Sequence, residues 1–340
     1  MLSKSFPNVD VIIPFDRNDH LLRESIESAH ASVGVNVRLI LVNDTGENVS
    51  EPSLQLRDKD QIISTANRGY TNALKVGMGC STSEYVAFLD SDDLTHPDRI
   101  RKQVDLLLNS GADYAAGCLI KFRDSENFKK QTPILGELPQ SVASKLLLLF
   151  GAHGSDSTIV AKGASIRSTW HFHGHFPSSV ADYGWLLSAL NLGHTLVREE
   201  SALYYYRSHR NQLSRSESLK IGWDSVWPLW IKLKSDSKET VPSFSQIQIS
   251  KNVALALAFP AALPKLTMFE HNEMKKAIKA FLLDQQNLDS KSIILLEKTL
   301  WRRYIIAKPV QSFSKIGYLP GILKELIFQN LSGIKIRKNQ

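Results

Sequence analysis

The residues with the clearest chemical potential are Asp90, Asp92 and Asp93, which close the run Glu84-Tyr85-Val86-Ala87-Phe88-Leu89-Asp90-Ser91-Asp92-Asp93. Three carboxylates this close repel one another unless a cation or hydrogen-bond donors compensate them. Hard divalent ions take oxygen ligands, and Mg²⁺ is typically held by one or two carboxylates together with substrate phosphates. The same residues also read as a solvated acidic turn in which Asp93 caps the helix begun by His96-Pro97-Asp98-Arg99. Spacing alone leaves the two readings level.

Other candidates are weaker singly. Asp44, in Asn43-Asp44-Thr45-Gly46, either accepts hydrogen bonds from a base or stabilises a turn, and in isolation the turn is favoured. Arg68 faces a phosphate or is simply solvated. Asp182 opens a helical segment near Ser179, as a general base or as a charge that suits a helix N-terminus. His171, His173 and His175 alternate, so on a strand they would share one face and suggest a metal. No acidic partner is evident for them in the sequence, and surface or acceptor-site imidazoles are the preferred reading. Neither a G-x-G-x-x-G after a strand nor a G-x-x-x-x-G-K-[ST] occurs, which counts against a dinucleotide fold and a P-loop.

These residues need a frame. From residue 9 to about 120, short apolar runs alternate with longer amphipathic ones, the pattern of βα units around a mostly parallel sheet. Strands are predicted at Val9–Ile13, Val37–Val42, Gln61–Ser64, Tyr85–Leu89 and Tyr114–Ile120, and helices at Asp19–Ala31, Tyr70–Gly79 and Pro97–Asn109. Ligands of open α/β sheets gather at the carboxyl ends of strands, where Pro14, Asp44, Asn67 and Asp90 fall. Further on, Ser157–Val160 is strand-like, and a strand pair is expected at Thr195–Val197 and Ala202–Tyr206. Residues 216–340 read as helices at Trp223–Leu233, Ser245–Ala258, Met268–Leu283, Lys291–Ile306 and Gly321–Leu331, punctuated by Pro260, Pro264, Pro309 and Pro320. Trp223, Trp227 and Trp230 read as helix packing, and Leu146–Phe150 as core.

In order, these pieces resemble the family 2 glycosyltransferases of the GT-A fold. A strand closes on Pro14, a second ends in the Asn43-Asp44-Thr45-Gly46 turn, and Asn67, Gly69, Ala73 and Gly77 match an N-x-G-x-x-x-A-x-x-x-G helix start. Phe88 to Asp93 then match F-L-D-x-D-D, with Pro97, Arg99 and Gln103 following, and Gly174 and Phe176 fit a G-x-F loop. The likeness spans roughly residues 8 to 214. It implies an inverting, metal-dependent hexosyltransferase-type enzyme with a nucleotide-sugar donor, UDP-linked, and a glycan or lipid-linked acceptor, in cell-surface polysaccharide or glycolipid synthesis. It implies that Asp92 ligates Mg²⁺ or Mn²⁺, that Asp90 contacts the donor ribose or metal shell, and that Asp44 reads the base. Pro14, Asn67, Gly69 and His209 become donor contacts, the last within Tyr206-Arg207-Ser208-His209, where Arg207 is a structural or phosphate partner. Asp182 becomes the base. Two departures stand out: Asn43 replaces a frequent aspartate, and Ala181 replaces the glutamate of an E-D pair.

The expected architecture is therefore a GT-A-like domain over 1–215 and a helical region over 216–340 ending in a basic amphipathic tail. At 340 residues and 43% hydrophobic content the chain should fold without staples, and Cys80 and Cys118 are read as buried small hydrophobes. The formal charge is +7, and residues 301–340 carry eight basic side chains against Glu325 alone, the whole of that excess. Such a tail suits an anionic membrane surface better than nucleic acid, because its charges are dispersed among aliphatics. No secretory signal is expected, and the protein reads as cytoplasmic, peripheral at the inner face of the membrane. A nucleotidyltransferase and a catalytically silent sugar-binding scaffold remain as alternatives.

Overall fold

The computed structural model describes residues 5–49, 54–123, 148–150, 155–208, 219–259, 266–285, 288 and 290–306. Its centre is a mixed sheet of eight strands among the described residues, in the order β3-β2-β1-β4-β7-β6-β8-β5. The first four strands are β1 (Asn8–Phe15), β2 (Asn36–Asn43), β3 (Gln61–Ser64) and β4 (Tyr85–Phe88). They pair in parallel, through helices α1 (His20–His30) and α2 (Tyr70–Cys80), as the βα alternation predicts. Val11, Ile12, Ile13, Leu39, Ile40 and Leu41 are all fully buried, since helices cover both faces of such a sheet. Pro14 lies beyond Ile12, the last β1 residue paired with β4, so its missing N–H costs no bond to that neighbour.

Local chemistry explains the helix boundaries. Asp19 caps α1, its carboxylate accepting from the N–H groups of Leu21 and Leu22. Gly77 lets α2 lie against the sheet, because a Cβ there would stand 2.5 Å from Ile12 Cγ2. Helix α3 (Arg99–Ser110) starts two residues later than predicted, and Asp93 does not cap it; Gly111 closes it in the left-handed conformation at φ +74°.

The second half of the sheet departs from the predicted strands. Strands β6 (Tyr114–Phe122) and β7 (Val160–Lys162) continue it, and β7 runs antiparallel to both neighbours. The expected strand pair after Thr195 is one strand, β8 (Leu196–Arg207), which pairs with β6 in parallel and absorbs irregularities opposite Ala116–Leu119. Short β5 (Leu94–Thr95) pairs antiparallel with β8. Ser157 and Thr158 lie in a one-turn 3₁₀ helix, Asp156–Thr158, before β7 begins. The alternate histidines do not share a strand face: after α4 (Gly163–Thr169), residues Trp170–His175 form a 3₁₀ helix that buries His173 and exposes His171 and His175. Helix α5 (Ala181–Asn191) follows.

The C-terminal helices are α6 (Leu219–Asp236), α7 (Pro242–Gln246), α8 (Lys251–Ala258), α9 (Met268–Leu283) and α10 (Ser290–Ile306). The helix predicted over 245–258 is thus divided, with Ile247 in extended conformation between its parts. A single apolar cluster runs from Ile12, Ile40 and Phe88 on the sheet through Trp185 and Trp223 to Phe281, Leu296 and Leu300. Trp223 and Trp230 are buried packing residues, as are Leu148, Leu149 and Phe150. Trp301 and Tyr304 pack on the same cluster, so the first residues assigned to the basic tail belong to α10. Residues 307–340, including the predicted helix 321–331, lie outside the described residues. Cys118 is buried as read, whereas Cys80, at the end of α2, is exposed.

Candidate active site

The carboxyl ends of β1, β2 and β4 meet one another directly. Asp44 N–H donates to the Phe15 carbonyl at 2.8 Å, and Leu89 N–H to the Ile12 carbonyl at 3.1 Å. Around Asp44 a tight loop is wound: its carboxylate accepts from Thr65 Oγ1, from Arg68 N–H at 2.8 Å and from Gly69 N–H at 2.7 Å. Asn67 and Gly69 take positive φ, +50° and +89°, to bring those amides inward. Three predicted donor-binding residues, Asp44, Asn67 and Gly69, therefore form one structure, in which Asp44 performs the turn-stabilising role that its sequence context favoured. Asn43 is equally committed. Its Oδ1 accepts from Thr45 N–H at 3.0 Å and its Nδ2 donates to the Glu47 carbonyl at 2.8 Å, so the departure at Asn43 is an Asx-type turn.

The three clustered aspartates separate into different roles. Asp93 points inward, fully buried, and accepts from the Tyr204 hydroxyl and from Arg207 N–H, both at 2.7 Å. Burial and the charges of Asp90 and Asp92 push its carboxyl well above the usual range. Asp90 accepts from the Tyr70 hydroxyl at 2.7 Å, and burial, then Asp156 and Asp92, push it up to about 8. Asp92 is partly exposed, and its carbonyl accepts from Arg207 Nε at 2.7 Å. Beneath the turn lies Arg99, 1% exposed, donating to the carbonyls of Phe88 and Ser157 at 2.8 Å each. Burial lowers its guanidinium to about 10, and it is a buried positive charge close to Asp90 and Asp93. Gln103, one turn along α3, donates to the carbonyls of Ala115 and Thr158. The Arg99 and Gln103 spacing is thus a clamp on the 156–158 turn.

That turn supplies a residue the sequence reading missed. Asp156 is buried among Tyr70, His173 and Ser155, and its charge bears on both Asp90 and Asp182. Burial raises its carboxyl, but His173 and the hydrogen bonds of Ser155 and Ser157 outweigh that and lower it. Asp156 directly precedes the Ser157–Val160 run read as strand-like, and nothing in its own neighbourhood marks it as a site residue. His173 thereby gains the acidic partner that its neighbours in sequence do not provide. Asp182 lies in the first turn of α5, where burial and then the Asp156 charge push it up to about 7, against the backbone N–H groups of Tyr183 and Asp156. Ala181 is buried, at 2% exposure. His209 lies outside the described residues.

Residues 10–167 match the model of glycosyl transferase family 2. This part of the chain is similar to that family. Among curated relatives, an uncharacterized glycosyltransferase of Haemophilus influenzae is 25% identical over 224 residues, covering 61% of this chain and 68% of that one. The succinoglycan biosynthesis protein ExoO of Rhizobium meliloti is 33% identical over 109 residues, covering 31% of each. An uncharacterized glycosyltransferase of Rickettsia bellii is 32% identical over 109 residues, covering 31% of this chain and 16% of that one. The chain spans between 16% and 32% of the length of the first curated relatives it matches. Among solved structures, S. aureus TarS 1-349 in complex with UDP-GlcNAc superposes with a TM-score of 0.52 at 14% identity, covering 88% of this chain and 89% of that one. This likeness establishes a GT-A type of α/β fold.

The family also implies a divalent ion. Among the described residues no group of three His, Cys, Asp or Glu side chains converges as a metal site. The oxygen donors at Asp92 and Asp90 nevertheless suit an ion completed by substrate phosphates, and burial together with the like charges of Asp156 and Asp92, which a cation would offset, displaces Asp90 upward.

Proposed function

We propose that the protein is an inverting glycosyltransferase that moves a sugar from a UDP-linked donor to a hydroxyl of a glycan or lipid-linked acceptor. What supports this most is the gathering of Asp90, Asp156 and Asp182 at the carboxyl edge of the sheet, within a family 2 domain. The UDP assignment draws on the TarS neighbour, whose structures hold UDP-GlcNAc and UDP. A role in polysaccharide synthesis draws on the succinoglycan protein.

In this reading the 65–69 loop, held by Asp44, shapes the nucleotide pocket together with Pro14 and His209. Asp92, with Asp90 beside it, would hold Mg²⁺ or Mn²⁺, which when bound neutralises charge on the departing diphosphate. Asp182 takes the proton of the acceptor hydroxyl as its oxygen bonds to the anomeric carbon. The bond to the diphosphate breaks on the opposite face, so the configuration inverts. A carboxyl near 7 is better matched to this proton than an ordinary aspartate.

The division into a transferase domain over 1–215 and a helical region over 216–340 belongs to the same proposal, as does docking of the basic tail on an anionic membrane. Among the described residues no helix is long and apolar enough to cross a membrane. The deciding experiment incubates the full chain and Mn²⁺ with UDP-glucose, UDP-galactose and UDP-GlcNAc. Release of UDP supports the transferase reading, release of sugar 1-phosphate points to nucleotidyl transfer, and no release from any donor rejects catalysis on this panel.

A further inference from the structure

We infer that Asp156 and His173 are a positioning pair for Asp182, an inference that rests on the assignment of Asp182 as base. The two residues come from separate 3₁₀ segments and meet inside the protein. His173, fully buried, lies with its Nε2 3.4 Å from Asp156 Oδ2, and its ring is 5.8 Å from that of Trp185. Trp185 is on α5, the helix that carries Asp182. The other Asp156 oxygen accepts from Ser157 N–H at 2.8 Å and Ser155 Oγ at 3.0 Å, with the Tyr70 hydroxyl at 3.4 Å. The carboxylate is thereby immobilised, and its charge bears on the Asp182 carboxyl.

The choice of histidine is informative. His173 Nδ1 is buried with no hydrogen-bond partner among the described residues, a cost that leucine or methionine at a packing position would avoid. The compensating feature is Nε2, directed at Asp156. From the opposite side Arg99 and Gln103 fix the carbonyls of Ser157 and Thr158. The short turn is therefore held from α3 on one side and from the 170–175 segment on the other, and it places one negative charge near Asp182. Among the described residues, the charged or titratable groups around Asp156 are His173, Tyr70, and Asp90 across Tyr70; Asp182 faces Asp156 itself. The pair thus acts on the base in two ways: His173, anchored by Asp156, packs on Trp185 of the helix that carries Asp182, and the charge of Asp156 raises the proton affinity of the base.

The test uses the full chain, Mn²⁺ and whichever donor of the UDP-sugar panel the wild type cleaves fastest. His173→Leu should lower kcat at least tenfold with donor KM changed less than twofold. His173→Gln, whose amide reaches the place of Nε2, should recover to within about threefold of wild type. Asp156→Asn keeps the shape and removes the charge, so the acid limb of its kcat profile should move to lower pH. Circular dichroism and melting curves establish that each variant is folded, and the two positions allow one to fail without losing the test. Wild-type turnover in His173→Leu, or equal losses in Leu and Gln, overturns the pair, as does an unmoved limb in Asp156→Asn. If Asp182→Asn is inactive while these variants behave as wild type, the base stands and the pair falls. Full activity in Asp182→Asn, or no cleavage by wild type, removes the underlying assignment and the pair with it.

Discussion

Arg207, the last residue of β8, donates from Nε to the main-chain carbonyl of Asp92 at 2.7 Å, tying the far strand to the acidic turn. The same guanidinium reaches Glu24 Oε2 at 2.5 Å and lies 4.8 Å from the Phe122 ring centre. Being 3% exposed, it cannot be removed without leaving a carbonyl short of its donor. Arg207→Met is expected to lower stability by about 1–3 kcal/mol, read by denaturant unfolding. UDP affinity should weaken as well, because the turn loses its brace.

Asp92→Asn is expected to abolish the metal-dependent part of UDP binding, since the amide keeps the shape and removes the charge that would hold the cation. Titration calorimetry with and without Mn²⁺ measures it. Equal affinities for variant and wild type under both conditions would withdraw the metal role from Asp92.

Asp182→Asn is expected to reduce turnover by about 10²- to 10⁴-fold with little change in donor affinity, as when only a general base is lost. In the wild type, the base acts when ionised, so kcat should rise with pH through about 7 and level off above. A rate that is flat from pH 5 to 8 would contradict this.

Asp10 makes a separate statement about acid stability. It is fully buried at the start of β1, pairs with both Nε and Nη2 of Arg38, and accepts from Ser81, Thr82 and Ser83. Burial raises its carboxyl, but Arg38 and the serines outweigh that and hold it at about 2, below the ordinary 3.8. A depressed carboxyl stabilises above its unfolded value and loses that contribution as pH falls toward the folded one. Asp10 should therefore supply about 1–2 kcal/mol at neutral pH, after screening through partly exposed Arg38, that vanishes between about pH 4 and 2. Unfolding of wild type and Asp10→Asn across that range should converge at the acid end.

For the basic tail, flotation with liposomes compares the full chain with one ending at Ile306, which preserves α10 and its packing residues Leu300 and Tyr304. The full chain should float with vesicles containing anionic lipid at low salt, and the shortened chain should not. Equal flotation, or indifference to lipid charge and salt, would end the membrane proposal.

The strand-end motifs were legible because each is local. Val11 to Pro14, Val37 to Asn43 and Tyr85 to Leu89 are apolar runs that only a buried strand can satisfy, and the residues after them had to fall at one edge of a parallel sheet. Helices α1, α2 and α9 were equally legible from apolar spacing, and the structure adds the Thr267–Glu270 capping box of α9. The single long β8 was not, because its course is set by pairing with β6 rather than by its own pattern.

The sequence by itself determined that Asp44, Asp90 and Asp92 stand at strand ends and Asp182 at a helix start, since these are properties of neighbouring residues. What each carboxylate does was decided by tertiary structure. Asp93 turns inward because Tyr204, 111 residues later, meets it there, and Asp44 is enclosed by amides 24 and 25 residues away. Asp156 joins the site only because Arg99, Gln103 and His173 hold its turn from three directions in the chain. Charge and burial act through space, and the distances that set them are absent from the order of residues.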